Sequence, residues 1–496
     1  MTGRRMLAGA ITIGAALAAP LLGTPTPAYA APPCTAAPAG RDLNGDGFPD
    51  AAVGDPYATV DGHAEAGTVT VLFGDADGRI GGGARQVLTQ ADVGETPEAG
   101  DHFGWAVAVN RTDNGGCAGL VIGSPGEDVA GMVDAGMAHI RTFDPREDDP
   151  DAITVTTVVQ DDVGGTTEAG DEFGYSVAVF GGSDEEAVVF AYGAPGENSD
   201  SGVVNLSHFT FGPDNLAQVR QGSRGVPGTP KAGDRFGEVV ALANLDIGTH
   251  DPADDDFVVT LLAGAPGDTV SGRVGAGSVT AVRQNLRAAK VYTRNSPGVP
   301  GSAHAGDRFG ASLSANILPT SRLVLVAVGM PGGDVGSARD AGSVVVLRNT
   351  AHKLVHRITL NQSTKGVPGT AEKGDGFGSA VAFRDDRALV VGVPGEDVGD
   401  IVDAGSAHVV RIGATKISLP YPTLTEDVPG TAGQVATGSR FGSTVAGLNS
   451  RGTGLETAFA ISSPYQDGGS VYVVSDSHDP RSWVSEHGVR FGRAVG

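Results

Sequence analysis

The sequence predicts an all-β protein, a seven-bladed β-propeller of four-stranded blades. Its ring is closed by pairing a C-terminal strand with N-terminal strands. Three observations predict this. First, Phe-Gly pairs recur in phase at Phe103, Phe173, Phe236, Phe309, Phe377, Phe441 and Phe491. A Gly-x-Pro turn follows each of the first six, beginning at Gly123, Gly193, Gly264, Gly329, Gly392 and, in a degraded form, Ser462. Second, Phe491 has no such turn after it, whereas an unmatched Gly54-Asp-Pro56 stands near the N-terminus. A repeat divided between the two ends of a chain implies a closed ring of seven units. Third, 77 glycines and 29 prolines separate short β-branched runs, and no sustained helical period appears after the first thirty residues.

Residues 1–30 read as a cleaved signal peptide. Arg4 and Arg5 precede the apolar run Leu7 to Leu22, and Ala28-Tyr-Ala30 offers a small-residue cleavage site. The arginine pair leaves general and twin-Arg export both open. No second stretch is long and apolar enough to span a bilayer, so the expected product is secreted and extracellular, without an integral membrane segment. Residues 31–41 form an N-terminal arm, and 42–496 the propeller. About 465 residues without a linker exceed one ordinary core, which a ring of repeats resolves because each unit buries its faces on its neighbours. The two cysteines, Cys34 and Cys117, are an even count in an exported chain, and a disulfide between arm and first full repeat is expected.

One loop carries a ligand pattern. Asp42-Leu-Asn-Gly-Asp-Gly-Phe-Pro-Asp50 sets oxygen donors at alternate positions around tight glycine turns. Asp42, Asn44, Asp46 and Asp50 supply side-chain oxygens and Phe48 its carbonyl, a hard-donor set suited to Ca2+. An uncharged Asx-rich turn is the competing account. Val53 occupies the position where an EF-hand needs Glu, and no helix flanks the loop. Equivalent loops elsewhere lack the pattern: Asp113-Asn-Gly-Gly-Cys117, Asn316-Ile-Leu-Pro319 and Asn449-Ser-Arg-Gly-Thr-Gly454. Asp246 with Asp251, Asp254, Asp255 and Asp256 is acidic but wrongly spaced.

A single repeat, Gly374 to Leu419, shows the blade. Ser379–Phe383, Ala388–Val393, Ser406–Val410 and Lys416–Leu419 read as four strands. Asp375 stands two residues before Phe377, as do Asp101, Asp171, Asp234 and Asp307 before their own Phe, where a carboxylate can accept backbone N–H groups. Each Phe is expected to plug the space between adjacent blades. Two loop families recur, one before each Phe-Gly and one between the second and third strands. In a radial blade both fall on the same face.

Formal net charge is −24, and removing the leader leaves 32 basic against 58 acidic residues, or −26. That balance argues against nucleic acid or an anionic membrane as partner. It fits divalent cations, a cationic surface, or simply a solvated acidic exterior.

The in-phase Phe-Gly and Gly-x-Pro pairs resemble FG-GAP repeats, as in the N-terminal propeller of integrin α subunits. The resemblance covers residues 42 to 496. It implies a seven-bladed propeller with its ligand face on the two recurring loop families, and a Ca2+ loop between the first two strands of a blade. The repeats are also similar to those appended to some phospholipases, whose catalytic domain has no counterpart here.

No Gly-x-Ser-x-Gly or His-Glu-x-x-His pattern is present. Glu127, Asp128, Asp134, Glu396, Asp397 and Asp403 could supply paired carboxylates, but their recurrence across blades points to repeat geometry. Lys373-Gly-Asp375 is one copy of the turn before Phe-Gly. The expected function is a secreted, non-catalytic binding or adhesion-type propeller. It would engage an extracellular protein or polysaccharide as a monomer and be stabilised by Ca2+. A secreted hydrolase with an unrecognised site and a structural envelope component are the alternatives.

Overall fold

The computed structural model describes residues 41–495 except 111–117, 144–152, 182–187, 209–216, 224, 246–258, 284–288, 319–322, 351–352, 385–386, 414–415, 428–432, 449–456, 466–467, 476–480 and 485–489. The expected signal peptide, the arm up to residue 40, both cysteines of the expected disulfide and the acidic cluster 251–256 lie outside the described residues.

Short runs of β-branched and small apolar residues between glycine and proline turns form strands and nothing longer. In the repeat beginning at Gly374 the strands are Ala380–Phe383, Ala388–Val393, Ser406–Ile412 and Ile417–Ser418. They pair antiparallel in chain order. Ala388–Val393 is buried at every position, as expected for a strand covered on both faces. At the rim the periodicity relaxes: in Arg85–Leu88 only Leu88 is buried.

Seven four-stranded sheets result. Six run in chain order from the axis outward. Here they are blades one to six, starting at Ala106, Ser176, Val239, Ser312, Ala380 and Val445. The seventh, the closing blade, takes its innermost strand Ala494–Val495 from the C-terminus and Ala51–Asp55, Thr68–Leu72 and Arg85–Leu88 from the N-terminus. Its seam pairs Val53 with Val495 and Gly54 with Ala494. The predicted architecture and mode of closure are both present.

There is no single central core. Among the described residues the buried apolar side chains fall into seven clusters, each between two adjacent blades. Every cluster contains one of the seven Phe side chains, all fully or almost fully buried. Phe491, for example, packs with Ala51 and Val53 of the closing blade and Leu448 and Val473 of blade six.

The glycines explain the pairing of the two sequence patterns. Gly104 has φ 85°, closed to ordinary L-residues. Its N–H donates to Gly123 C=O in its own blade at 3.1 Å. Its carbonyl meets the preceding blade so closely that a Cβ on Gly54 would lie 1.9 Å from it. Gly123 stands in the same relation to Gly174, at 2.0 Å. Phe-Gly and Gly-x-Pro are thus two halves of one contact between blades.

One boundary differs from expectation. The strand Ser312–Leu318 runs through Asn316, read above as loop. Asn316 pairs with Leu325, and its Nδ2 donates to Arg384 C=O at 2.6 Å. A cross-blade hydrogen bond converts the polar residue into strand.

Candidate functional site

Two regions carry chemistry, on opposite faces of the disc. The loop Asp42–Asp50 enters the second strand of the closing blade. The second region is the face formed by the loops that precede Phe-Gly and the loops that follow the second strands.

In the first region backbone donors fix the carboxylates of Asp42, Asp46 and Asp50, and those three do not converge within 4.8 Å as a group among the described residues. Asp42 accepts from Gly45 N–H (2.6 Å) and Gly47 N–H (2.7 Å), and Asp46 accepts from Phe48 N–H (2.9 Å). Asn44 Nδ2 donates to Asp46 Oδ2 at 3.0 Å. Asp50 accepts from Leu43 N–H (2.7 Å) and from Gly74 N–H (2.8 Å) on the loop between the third and fourth strands. Asp42 C=O receives Ala118 N–H from blade one at 2.6 Å. The loop therefore ties the N-terminal strands to the neighbouring blade.

Asp42 is 5% and Asp50 0% exposed. Burial raises the Asp42 carboxyl above its usual range and Asp50 well above it, and the mutual repulsion of Asp42, Asp46 and Asp50 adds to both. Each carboxylate oxygen keeps a second lone pair after accepting one N–H. The donor set is of the hard-oxygen kind that Ca2+ takes, and the carboxylates would have to draw closer together to share one ion.

The opposite face is built from one repeated clasp. The N–H of each Phe donates to the loop of the preceding blade: Phe103 to Ala66, Phe173 to Ala135, Phe236 to Ser201, Phe309 to Ala276, Phe377 to Ala341, Phe441 to Ala404 and Phe491 to Gly468, at 2.8–3.1 Å. The Asp two residues earlier accepts a backbone N–H in five blades, as from Glu98 to Asp101 (2.6 Å) and from Lys231 to Asp234 (2.9 Å). Asp375 of the Lys-Gly-Asp tripeptide is one of these, bonded to Glu372 N–H at 2.6 Å.

The acidic residues of the second loop family separate into two kinds. Asp128 and Asp397 accept the N–H groups of Asp134 and Asp403, at 3.0 and 2.9 Å, and shape the loop. Glu127 and Glu396 instead turn inward beside Asp101 and Asp375, and each receives an amide from the preceding blade, from Gln90 at 2.5 Å and from Gln362. Gln160 and Glu197 repeat this at 2.6 Å. Burial pushes Glu127 up to about 8 and Glu396 up to about 7, and the neighbouring Asp charges add to both. The carboxylates of Glu168, Asp171 and Glu197 lie within 4.8 Å of one another and are the blade-two copy of the same arrangement.

The glutamine latches were not foreseen. Gln90 and Gln160 sit on single 3-10 turns, Gln90–Val93 and Gln160–Val163, too short for any periodicity to register. The buried His139 and His408 were also passed over. They lie against Phe103 and Phe377, and burial pushes both down to about 4, which keeps them neutral packing partners.

Residues 35–72 match the family model described as the FG-GAP repeat. That stretch lies in the closing blade. The match spans the Asp42–Asp50 loop, the strand Ala51–Asp55 with its Gly54-Asp-Pro56 turn, and the strand Thr68–Leu72. A match of this kind in one blade of a seven-bladed propeller is consistent with an integrin-α-like propeller. No curated protein matches the chain. Among solved structures, one reported under "Structural and Mechanistic Analysis of Two Prolyl Endopeptidases: Role of Inter-Domain Dynamics in Catalysis and Specificity" is similar at 10% identity with a TM-score of 0.39. The likeness covers 84% of this chain and 46% of that one. Among the described residues, no helix is long and apolar enough to cross a membrane.

Proposed function

We propose that this protein is a secreted, non-catalytic binding module that engages an extracellular protein or glycan through the clasp-built face, with Ca2+ held in the Asp42–Asp50 loop on the other side. The observation that carries the reading is the placement of exposed apolar side chains. Four large ones stand out among the described residues: Val133 at 57%, Val274 at 70%, Val402 at 52% and Tyr465 at 46% exposure. All four lie on that one face. The valines occupy equivalent places in blades one, three and five, where their carbonyls receive the N–H groups of Gly170, Gly306 and Gly438. Solvent-facing apolar groups that recur at equivalent places in three blades of an acidic molecule favour a contact surface over a solvated exterior.

Ca2+ in this account is structural. Asp42, Asn44, Asp46 and Asp50 would hold it with the Phe48 carbonyl, far from the contact face, and it would stiffen the seam where the chain begins. The repeated Asp–Glu pairs favour binding over hydrolysis, since they recur around the ring without singling out one asymmetric site.

The test is adhesion of labelled protein to cells, matrix and polysaccharide from its extracellular milieu. Val133→Asp, Val274→Asp and Val402→Asp combined are expected to weaken binding about tenfold or more with an unchanged melting temperature. Wild-type protein that adheres to none of these, or a triple variant that adheres as well, would overturn the reading.

A further inference from the structure

Around the axis of the clasp face, arginines and aromatic rings form one continuous arc over five consecutive blades. Arg440 lies over the Tyr465 ring at 5.7 Å. Arg490 lies between two rings, 5.2 Å from Tyr465 and 4.4 Å from Tyr57. Tyr57 stands 6.1 Å from Trp105, and Arg493 covers Trp105 at 4.6 Å. Tyr175 and Arg235 continue the arc at 5.1 Å each. Of the six arginine–ring contacts among the described residues, five lie in this arc.

The arc arises where the repeat departs from its own pattern. Five blades have Gly after the Gly-x-Pro turn, because a Cβ at Gly126, Gly196, Gly267, Gly332 or Gly395 would lie 1.8–2.1 Å from a loop carbonyl. Tyr57 and Tyr465 stand at the other two. These are the two blades in which Asp before Phe-Gly gives way to Val489 and Ser439. Loss of the Asp and gain of the ring therefore go together.

The arginines are not equivalent. Arg235 is saturated by Glu238 (2.7 Å), Glu172 (2.9 Å) and Asp200 (3.3 Å), and Arg440 faces Asp403 at 4.0 Å. The half-buried Arg490 and Arg493 have no carboxylate at ion-pair distance among the described residues. A guanidinium stacked on a ring is held in plane and keeps its N–H edge free, the geometry that receives a carboxylate in a bidentate fork.

We infer that the axial end of this face binds a carboxylate-bearing sugar, whose carboxylate is received by Arg490 and Arg493 beside the rings of Tyr57 and Trp105. The surroundings select the sugar. Glu65, Glu172 and Glu238 lie along the same arc, bonded to His102 and Arg235. Such carboxylates accept hydroxyl donors, which a sugar brings in number, and repel the repeated charges of an acidic peptide.

The inference rests on the binding-module reading and deepens it. It is tested with Trp483→Phe protein, which leaves Trp105 as the sole tryptophan reporter. The probes are a glucuronic-acid-terminated disaccharide, its neutral glucose counterpart and triglutamate. Trp105 fluorescence should change saturably with the acidic sugar, with a Kd about tenfold or more below that of the neutral one, and triglutamate should bind more weakly than the acidic sugar. Arg490→Gln and Arg493→Gln should each remove that preference. Should Arg490→Gln lower the melting temperature, Arg493→Gln carries the test alone. Equal response to both sugars, preference for triglutamate, or full preference in the arginine variants would overturn the site. Protein that adheres to cells or matrix and is not displaced by the acidic disaccharide overturns this inference while the binding reading stands. Protein that adheres to nothing overturns both.

Discussion

Glu127 shows how a repeated residue becomes a property of the ring. Its carboxyl is buried, bonded to Gln90 of the preceding blade, and raised by burial to about 8 with Asp101 adding to the rise. In the unfolded chain it titrates near an ordinary 4.5. Between those values the unfolded state has released a proton that the folded state retains. The folded state therefore loses stability as pH rises through that window, and the full contribution is present below it. Glu127→Gln keeps an acceptor for Gln90 and removes the ionisation. Thermal melts from pH 5 to 8 should decline less for the variant than for wild type, with the gap widest at pH 8. Parallel curves would show that Glu127 does not titrate in this way.

At the scale of elements, the Asp42–Asp50 loop and the clasp are both turns stapled by carboxylate-to-backbone bonds, and they differ in charge. The clasp spreads one Asp per turn over five blades, whereas the loop gathers three within nine residues. Three buried or half-buried carboxylates repel one another, and a bound cation would compensate them. Ca2+ at about a hundred times its Kd would add about 2.7 kcal/mol to stability. For a molecule of this size that amounts to a rise in melting temperature of about 3 °C. Chelation should reverse the rise, and Asp46→Ala should leave a protein indifferent to chelator. A wild-type melt unmoved by chelation would dismiss the cation.

The whole molecule depends on its seam. The strand Ala494–Val495 supplies the innermost position of the closing blade, and Phe491 fills the interface with blade six. Deleting residues 489–496 removes both. Loss of the Phe491 side chain alone should cost about 3–5 kcal/mol, and the open ring exposes the closing blade's apolar face. Calorimetry should show a lower and less cooperative transition. A truncated protein with the wild-type melt would contradict closure.

The sequence by itself determined the ring: blade number, strand identity, closure and the composition of the metal-type loop. These depend on period and local turn chemistry, and both are written in consecutive residues such as Phe377-Gly378 and Gly392-Val-Pro394. Tertiary structure alone decided which residues meet across blades. Gln90 reaches Glu127, Asn316 reaches Arg384, and Arg490 settles between Tyr57 and Tyr465 from opposite ends of the chain. Nothing local marks those partners, because each contact is made by the packing of one blade on the next.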